Sequence, residues 1–193
     1  MKTKNFNAID KTIAKMRLRK VSQFVNKDDV VLDFGCGYQA FFLKSISDKI
    51  SKGWGIDYEV ENDVSFKNLT LMNLNYQGNL PFEDKKFDKI FLLAVYEHIP
   101  LESTVSLLIE LKRVLKDNGK IVLTIPTPKG KSVMEFLAFK LGVISRAEIA
   151  DHKKYYSKED IHGDATKAGL CLSYHRYFQF GWNSLQVLEK NND

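Results

Sequence analysis

The chain has 193 residues, 44% hydrophobic and 27% charged, which suits one α/β domain with a sizeable core. No apolar run approaches the ~20 residues of a membrane span, and the first residues lack the apolar centre of a signal peptide, so a cytoplasmic protein is expected. The net charge is +5, and the two cysteines, Cys36 and Cys171, belong to no CxxC or Cys/His cluster, which leaves no readable zinc or iron–sulfur site.

Residues 8–25 place Ile9, Ile13, Met16, Leu18, Val21, Phe24 and Val25 at helical spacing and predict an N-terminal helix within residues 1–26. Lys2, Lys4, Lys11, Lys15, Arg17, Arg19 and Lys20 concentrate there; the spacing reads as a solvated helix face rather than a polyanion site. Val30 to Phe34 then reads as a buried strand. A Gly35-Cys36-Gly37 turn follows, and a helix over 39–51. "GWGIDYE" is a second strand ending at Asp57, "LTLMNL" a third, and "FDKIFLLAV" a fourth. A helix over 101–116, closed by Asn118-Gly119, leads into a fifth strand, "KIVLTIP". Ser157, with Asp160 three residues on, marks the start of a last helix that Gly169 ends. Two strands, 170–177 and 184–188, are joined by a link too short for anything but an antiparallel pair. Alternating strands and helices imply right-handed βαβ units. The expectation is a single α/β domain over 1–193: a Rossmann-like, doubly wound, seven-stranded sheet, mostly parallel, with one antiparallel strand near the C-terminal edge.

In such a sheet ligands bind beyond the carboxyl ends of the strands, beside the first strand. Gly35 and Gly37 permit a tight turn and a close approach to backbone, and the next helix offers N–H groups and a partial positive charge. Cys36 lies within the turn, where a small side chain is the requirement. Asp57 stands about 20 residues on, the spacing of a ribose-binding acid. Gly35-x-Gly37-x-x-Ala40 also fits a dinucleotide fingerprint, so the glycines alone do not choose a cofactor. Asp33 weighs against pyrophosphate, which it would repel, and for a cationic or amino-bearing ligand. A short chain and an antiparallel tail agree with a sulfonium cofactor carrying an amino-acid end and an adenosine end, that is, S-adenosylmethionine.

"VLDFGCGYQAFF" resembles the first motif of class I S-adenosylmethionine-dependent methyltransferases of the small, type 11-like kind, and "GIDYE" their acidic second-strand end. "NYQGNLPFEDKKFDKIFLLAVYEHI", "LKRVLKDNGKIVLTIPTP" and "YYSKEDIHGDATKAGL" are similar to the family's later stretches, in the same order, from about Val21 onward. The resemblance implies methyl transfer from S-adenosyl-L-methionine. It assigns Asp33, Gly35, Cys36 and Gly37 to the methionyl end, Asp57 to the ribose and Tyr58 to the adenine. Asn75 and Tyr76 would meet the adenine edge or face, with Leu93 in backbone contact. Asn75 stands where the family often has aspartate, and its amide carbonyl can accept the same hydrogen bond. Tyr96 stands where an aliphatic residue is usual, facing either the pocket or the core.

A hydroxyl or amine acceptor calls for a general base. His98, in "YEHIP", is the first candidate, with Glu97 to orient it, and His152, in "DHKKYY", is the second; each is also readable as a loop or helix-start residue. Residues 127–156 read as a lid insertion, with Val133, Phe136, Leu137, Phe139, Leu141 and Val143 as its apolar face. The expected acceptor is a small-molecule or amphiphilic metabolite, and a membrane surface is the less favoured use of that face. Nucleic acid is not expected, because "AVYEHIP" replaces the Asp/Asn-Pro-Pro-aromatic turn of amino-methylating enzymes. The alternatives are an S-adenosylmethionine-binding protein without transferase activity and a nicotinamide-dependent oxidoreductase.

Overall fold

Side-chain parity along the central strands sets the layers. In β1 (Val30–Phe34), Leu32 and Phe34 point to one face of the sheet and Val31 to the other. β5 (Phe87–Leu93) and β6 (Leu115–Pro126) do the same, with Ile90, Leu92, Ile121, Leu123 and Ile125 opposite Phe91 and Val122. Strands apolar on both faces need cover on both. α3 (Thr104–Val114) and α6 (Lys158–Lys167) supply it on one side through Leu107, Leu108, Leu111, Ile161 and Ala165. Val21 of α1 (Ala8–Val21) and Phe42, Leu43 and Ile46 of α2 (Phe41–Ile46) supply it on the other. The computed structural model describes residues 8–61, 64–135, 138 and 146–191.

The remaining elements are β2 (Lys52–Asp57), β3 (Val64–Phe66), β4 (Leu69–Asn73), α4 (Pro128–Glu135), α5 (Arg146–Asp151), β7 (Leu170–Phe178) and β8 (Asn183–Lys190). The sheet has eight strands in the order β3-β4-β2-β1-β5-β6-β8-β7, one more than the seven expected. β4, β2, β1, β5 and β6 are parallel neighbours. β8 runs antiparallel to both β6 and β7, as the short link between the last two strands requires. The extra strand, β3, is an exposed three-residue edge paired antiparallel to β4 across Lys67-Asn68, with Lys67 in the left-handed region. A strand so short and so exposed leaves no alternation to read.

Two helix ends differ from expectation. α3 stops at Val114, before Asn118-Gly119, because Leu115 is extended and pairs with Phe87. Its last carbonyls are capped from another segment: Lys85 N–H donates to Arg113 O (3.0 Å) and Lys86 N–H to Val114 O (2.8 Å). α2 spans six residues rather than thirteen, entering after a left-handed Ala40. The Ser45 and Ser47 hydroxyls bond back to Phe42 O and Lys44 O, competing with helix continuation. The start of α6 agrees with its sequence. Asp160 N–H donates to Ser157 Oγ (3.1 Å) and Ser157 N–H to Asp160 Oδ2 (2.8 Å), and Gly169 follows with φ +70°. Most of the apolar face expected in 133–143, including Phe136, Leu137, Phe139, Leu141 and Val143, lies outside the described residues, as do Lys2 and Lys4. Among the described residues no helix is long and apolar enough to cross a membrane.

Candidate functional site

From β1 the chain moves outward to β2 and β4 and then returns to β5 on β1's other side, so the switch point lies over the carboxyl ends of β1 and β5. Asp33, 2% exposed, sits there. No hydrogen bond reaches its carboxylate among the described residues. Burial, with the Asp57 charge adding to it, pushes its pKa up to about 8. Gly35 (φ +75°) and Gly37 (φ +66°) make the turn that the sequence promised. A Cβ on Gly35 would overlap the Val95 side chain, whereas one on Gly37 would enter open space at the crevice.

The turn's donors are already used. Gly35 and Cys36 N–H donate to Ile56 O, Gly37 N–H to Asp57 Oδ2 (2.9 Å), and Ala40 N–H to Gly37 O. With a six-residue α2 entered in a left-handed turn, the crevice is not the helix-terminus anion site the sequence suggested. What remains are carbonyls and the Asp33 carboxylate, an array that favours a ligand's cationic or amino end. Asp57, at the end of β2, also accepts from Glu59 N–H (2.8 Å), so each of its oxygens holds one backbone donor and keeps a lone pair. Cys36 is half-buried with its thiol pushed above the usual range, by burial first and then by Asp33 and Asp57; that is an unreactive spacer.

Tyr58 is 68% exposed at the rim. Asn75 is exposed beyond β4, which ends at Asn73 opposite Asp57. Asn73, which sequence reasoning passed over, ties the rim together through its amide to the Tyr58 and Val60 carbonyls. Tyr76 is half-buried, edge-on to Phe34 (5.5 Å), and its hydroxyl has no partner among the described residues. Leu93 ends β5, followed by left-handed Ala94. Tyr96 belongs to the core: it is fully buried, and its hydroxyl donates to Asp164 Oδ2 (2.9 Å) on α6.

On the other side of this loop the two candidate histidines meet, His98 and His152 stacking edge-to-face at 4.9 Å. The carboxylate holding His98 is Asp151, whose Oδ2 lies 2.9 Å from Nδ1, and not Glu97. Glu97 is 1% exposed, with its pKa pushed up to about 7 by burial and Oε2 unpartnered. Burial, then the charge of His98, push His152 down to about 4 against the opposing pull of Asp151. Lys153 N–H donates to Glu97 O (2.8 Å) and joins the two segments. Sequence reasoning missed Asp151; its one signal was adjacency to His152. His152 also lines a cleft of about 500 Å³ with Pro128, Lys131, Glu135, Ile149 and Tyr155.

A family model described as "Methyltransferase domain" matches residues 3–174. An uncharacterised protein of Methanocaldococcus jannaschii is 30% identical over 112 residues, covering 54% of this chain and 44% of its own length. A tRNA U34 carboxymethyltransferase of Nautilia profundicola is 33% identical over 111 residues, covering 51% of this chain and 34% of its own. This chain therefore spans less than half the length of either curated relative. Among solved structures, a Burkholderia thailandensis 1,6-didemethyltoxoflavin-N1-methyltransferase with bound 1,6-didemethyltoxoflavin and S-adenosylhomocysteine superposes with a TM-score of 0.67 at 11% identity, over 95% of this chain and 82% of that one. At that identity the likeness is one of fold.

Proposed function

Since the chain belongs to the methyltransferase-domain family, we propose that it binds S-adenosyl-L-methionine at the tip of β1 and methylates a small-molecule or amphiphilic acceptor. One observation carries this reading: a buried, unpartnered Asp33 carboxylate crowded by Asp57 over an open Gly37. A cationic or amino group entering there relieves both burial and like charge. The cofactor would supply a methyl group already activated by its sulfonium. Asp33 and the Gly35–Gly37 carbonyls would hold the amino-acid end, and the free lone pairs of Asp57 the ribose hydroxyls. Tyr58, Asn75 and Tyr76 would flank the adenine, with Leu93 in backbone contact.

On the acceptor side, residues 127–156 would act as a lid that orients the acceptor and excludes water. His98, its ring fixed by Asp151, would take the acceptor's proton, with His152 beside it. The cationic heads along the cleft are already paired: Lys131 with Glu135, Lys153 with Asp151 and Lys154 with Asp160. A cleft so balanced has little to offer nucleic-acid phosphates, which supports a small acceptor although one relative is named for tRNA.

Thermal shift tests the assignment. S-adenosylmethionine or S-adenosylhomocysteine should raise the Tm, and nicotinamide dinucleotides should not. Asp57→Ala should lose the ligand-induced rise and, having released two backbone donors, should also melt several degrees lower without ligand. An unchanged rise in this variant would remove Asp57 from the ribose contact.

A further inference from the structure

Among the described residues, Glu97 Oε2 and His152 Nδ1 are buried polar atoms without partners, as is the hydroxyl of Tyr155, which lines the cleft with His152. Leaving such groups unpaired costs about 1–3 kcal/mol each, and an ordered water or an ion is the usual remedy in a native fold. Glu97 and His152 lie on separate segments, yet the Lys153–Glu97 backbone bond holds them together. One ligand atom from each of Glu97, His98 and His152 lies within 4.8 Å of the other two. His98 adds an independent sign. Its Nδ1 faces Asp151 at 2.9 Å, so the tautomer with a proton on Nδ1 leaves the Nε2 lone pair free. That is the carboxylate–histidine arrangement by which proteins orient and strengthen a metal-binding imidazole.

We propose that Glu97, His98 and His152 bind a divalent first-row transition cation, zinc foremost, with its remaining position open to the cleft. Two imidazoles and one carboxylate are the donor set of open zinc sites, whereas magnesium and calcium seek more oxygen ligands. A tetrahedral ion about 2.1 Å from each donor spaces the donors about 3.4 Å apart. The three donors, within 4.8 Å of one another, would close to that spacing by side-chain rotation. The site goes beyond methyl transfer. Its binding does not depend on the proposed activity, but its use does: with the ion in place, His98 would act as a ligand instead of the base, and the ion would lower the pKa of an acceptor hydroxyl at the open position so that its proton passes to solvent water.

The test uses the full chain stripped with a chelator, titrated with Zn²⁺ by calorimetry and with Co²⁺ by visible absorption. One equivalent of each should bind, with cobalt bands of a low-symmetry nitrogen–oxygen site. His152→Ala and Glu97→Gln should abolish stoichiometric binding, Asp151→Asn should weaken it about 10–100-fold, and exposed His162→Ala should leave it unchanged. The Tm rise with S-adenosylhomocysteine, read on the same variants, reports folding and the cofactor site separately. If His152→Ala fails that check, Glu97→Gln and Asp151→Asn decide the matter. A wild-type chain that shows the nucleoside shift but no saturable cation binding overturns the proposal, as does a folded His152→Ala chain that binds as tightly as wild type.

Discussion

Asp33 concentrates the electrostatics of the crevice in one carboxyl group. Its folded pKa, about 8, lies above the value of 3.8 for a free aspartate. The folded chain therefore holds a proton that the unfolded chain has released. That contribution to stability is complete below about pH 4 and is lost as pH rises through 8. Asp33→Asn removes this titration. Without ligand, the variant should match wild type near pH 4 and exceed its Tm by about 4–8 °C at pH 8, if the relieved cost is about 2 kcal/mol. Melting curves at intervals across that range are the check, and parallel profiles would contradict the assignment. Asp33, the glycines and Asp57 were legible in the sequence because turn chemistry and a strand-end acid sit close together in the chain. Asp151 was not, since 53 residues separate it from His98 and only the folded chain brings them into contact.

At the scale of elements, α3 does more than cover the sheet. Arg113 extends its guanidinium over the loop before β5, donating to Leu80 O, Phe82 O and Asp84 while paired with Glu110. Glu110 in turn accepts from Leu80 N–H at 2.7 Å. The pairing with Arg113 holds the Glu110 carboxyl below its usual range despite the opposing effect of burial. Arg113→Ala strands both the carboxylate and the loop carbonyls and should cost about 2–3 kcal/mol, or 4–12 °C in Tm. Arg113→Lys, which keeps the charge but not the fork, should recover only part; full recovery would mean that charge alone matters. This clamp explains one failure of sequence reasoning. Asn118-Gly119 looked like the end of α3, but amides from Lys85 and Lys86 cap it four residues earlier, so Gly119 serves a strand. The cap of α6 was readable because Ser157, Asp160 and Gly169 are all local to it. The mostly parallel sense of the sheet and its antiparallel tail were readable too, because alternating strands and helices and a short last link admit few topologies.

Across the whole molecule, stability should fall from the centre of the sheet to its β3 edge. β1, β5 and β6 are buried on both faces, whereas every residue of β3 is exposed. Native-state hydrogen exchange should find the slowest amides in β5 and β6 and the fastest strand amides in β3; equal protection in β3 and β5 would contradict that gradient. Near the cleft, the bond from Lys153 N–H to Glu97 O closes a ring of chain that leaves the loop after β5 through α3, runs along β6 and returns by α4 and α5. The part of that ring beyond β6, residues 127–152, adds no strand to the sheet among the described residues, so substitutions there should leave the strand tips in place. A lineage built on this frame could vary that one stretch while keeping its sheet as inherited.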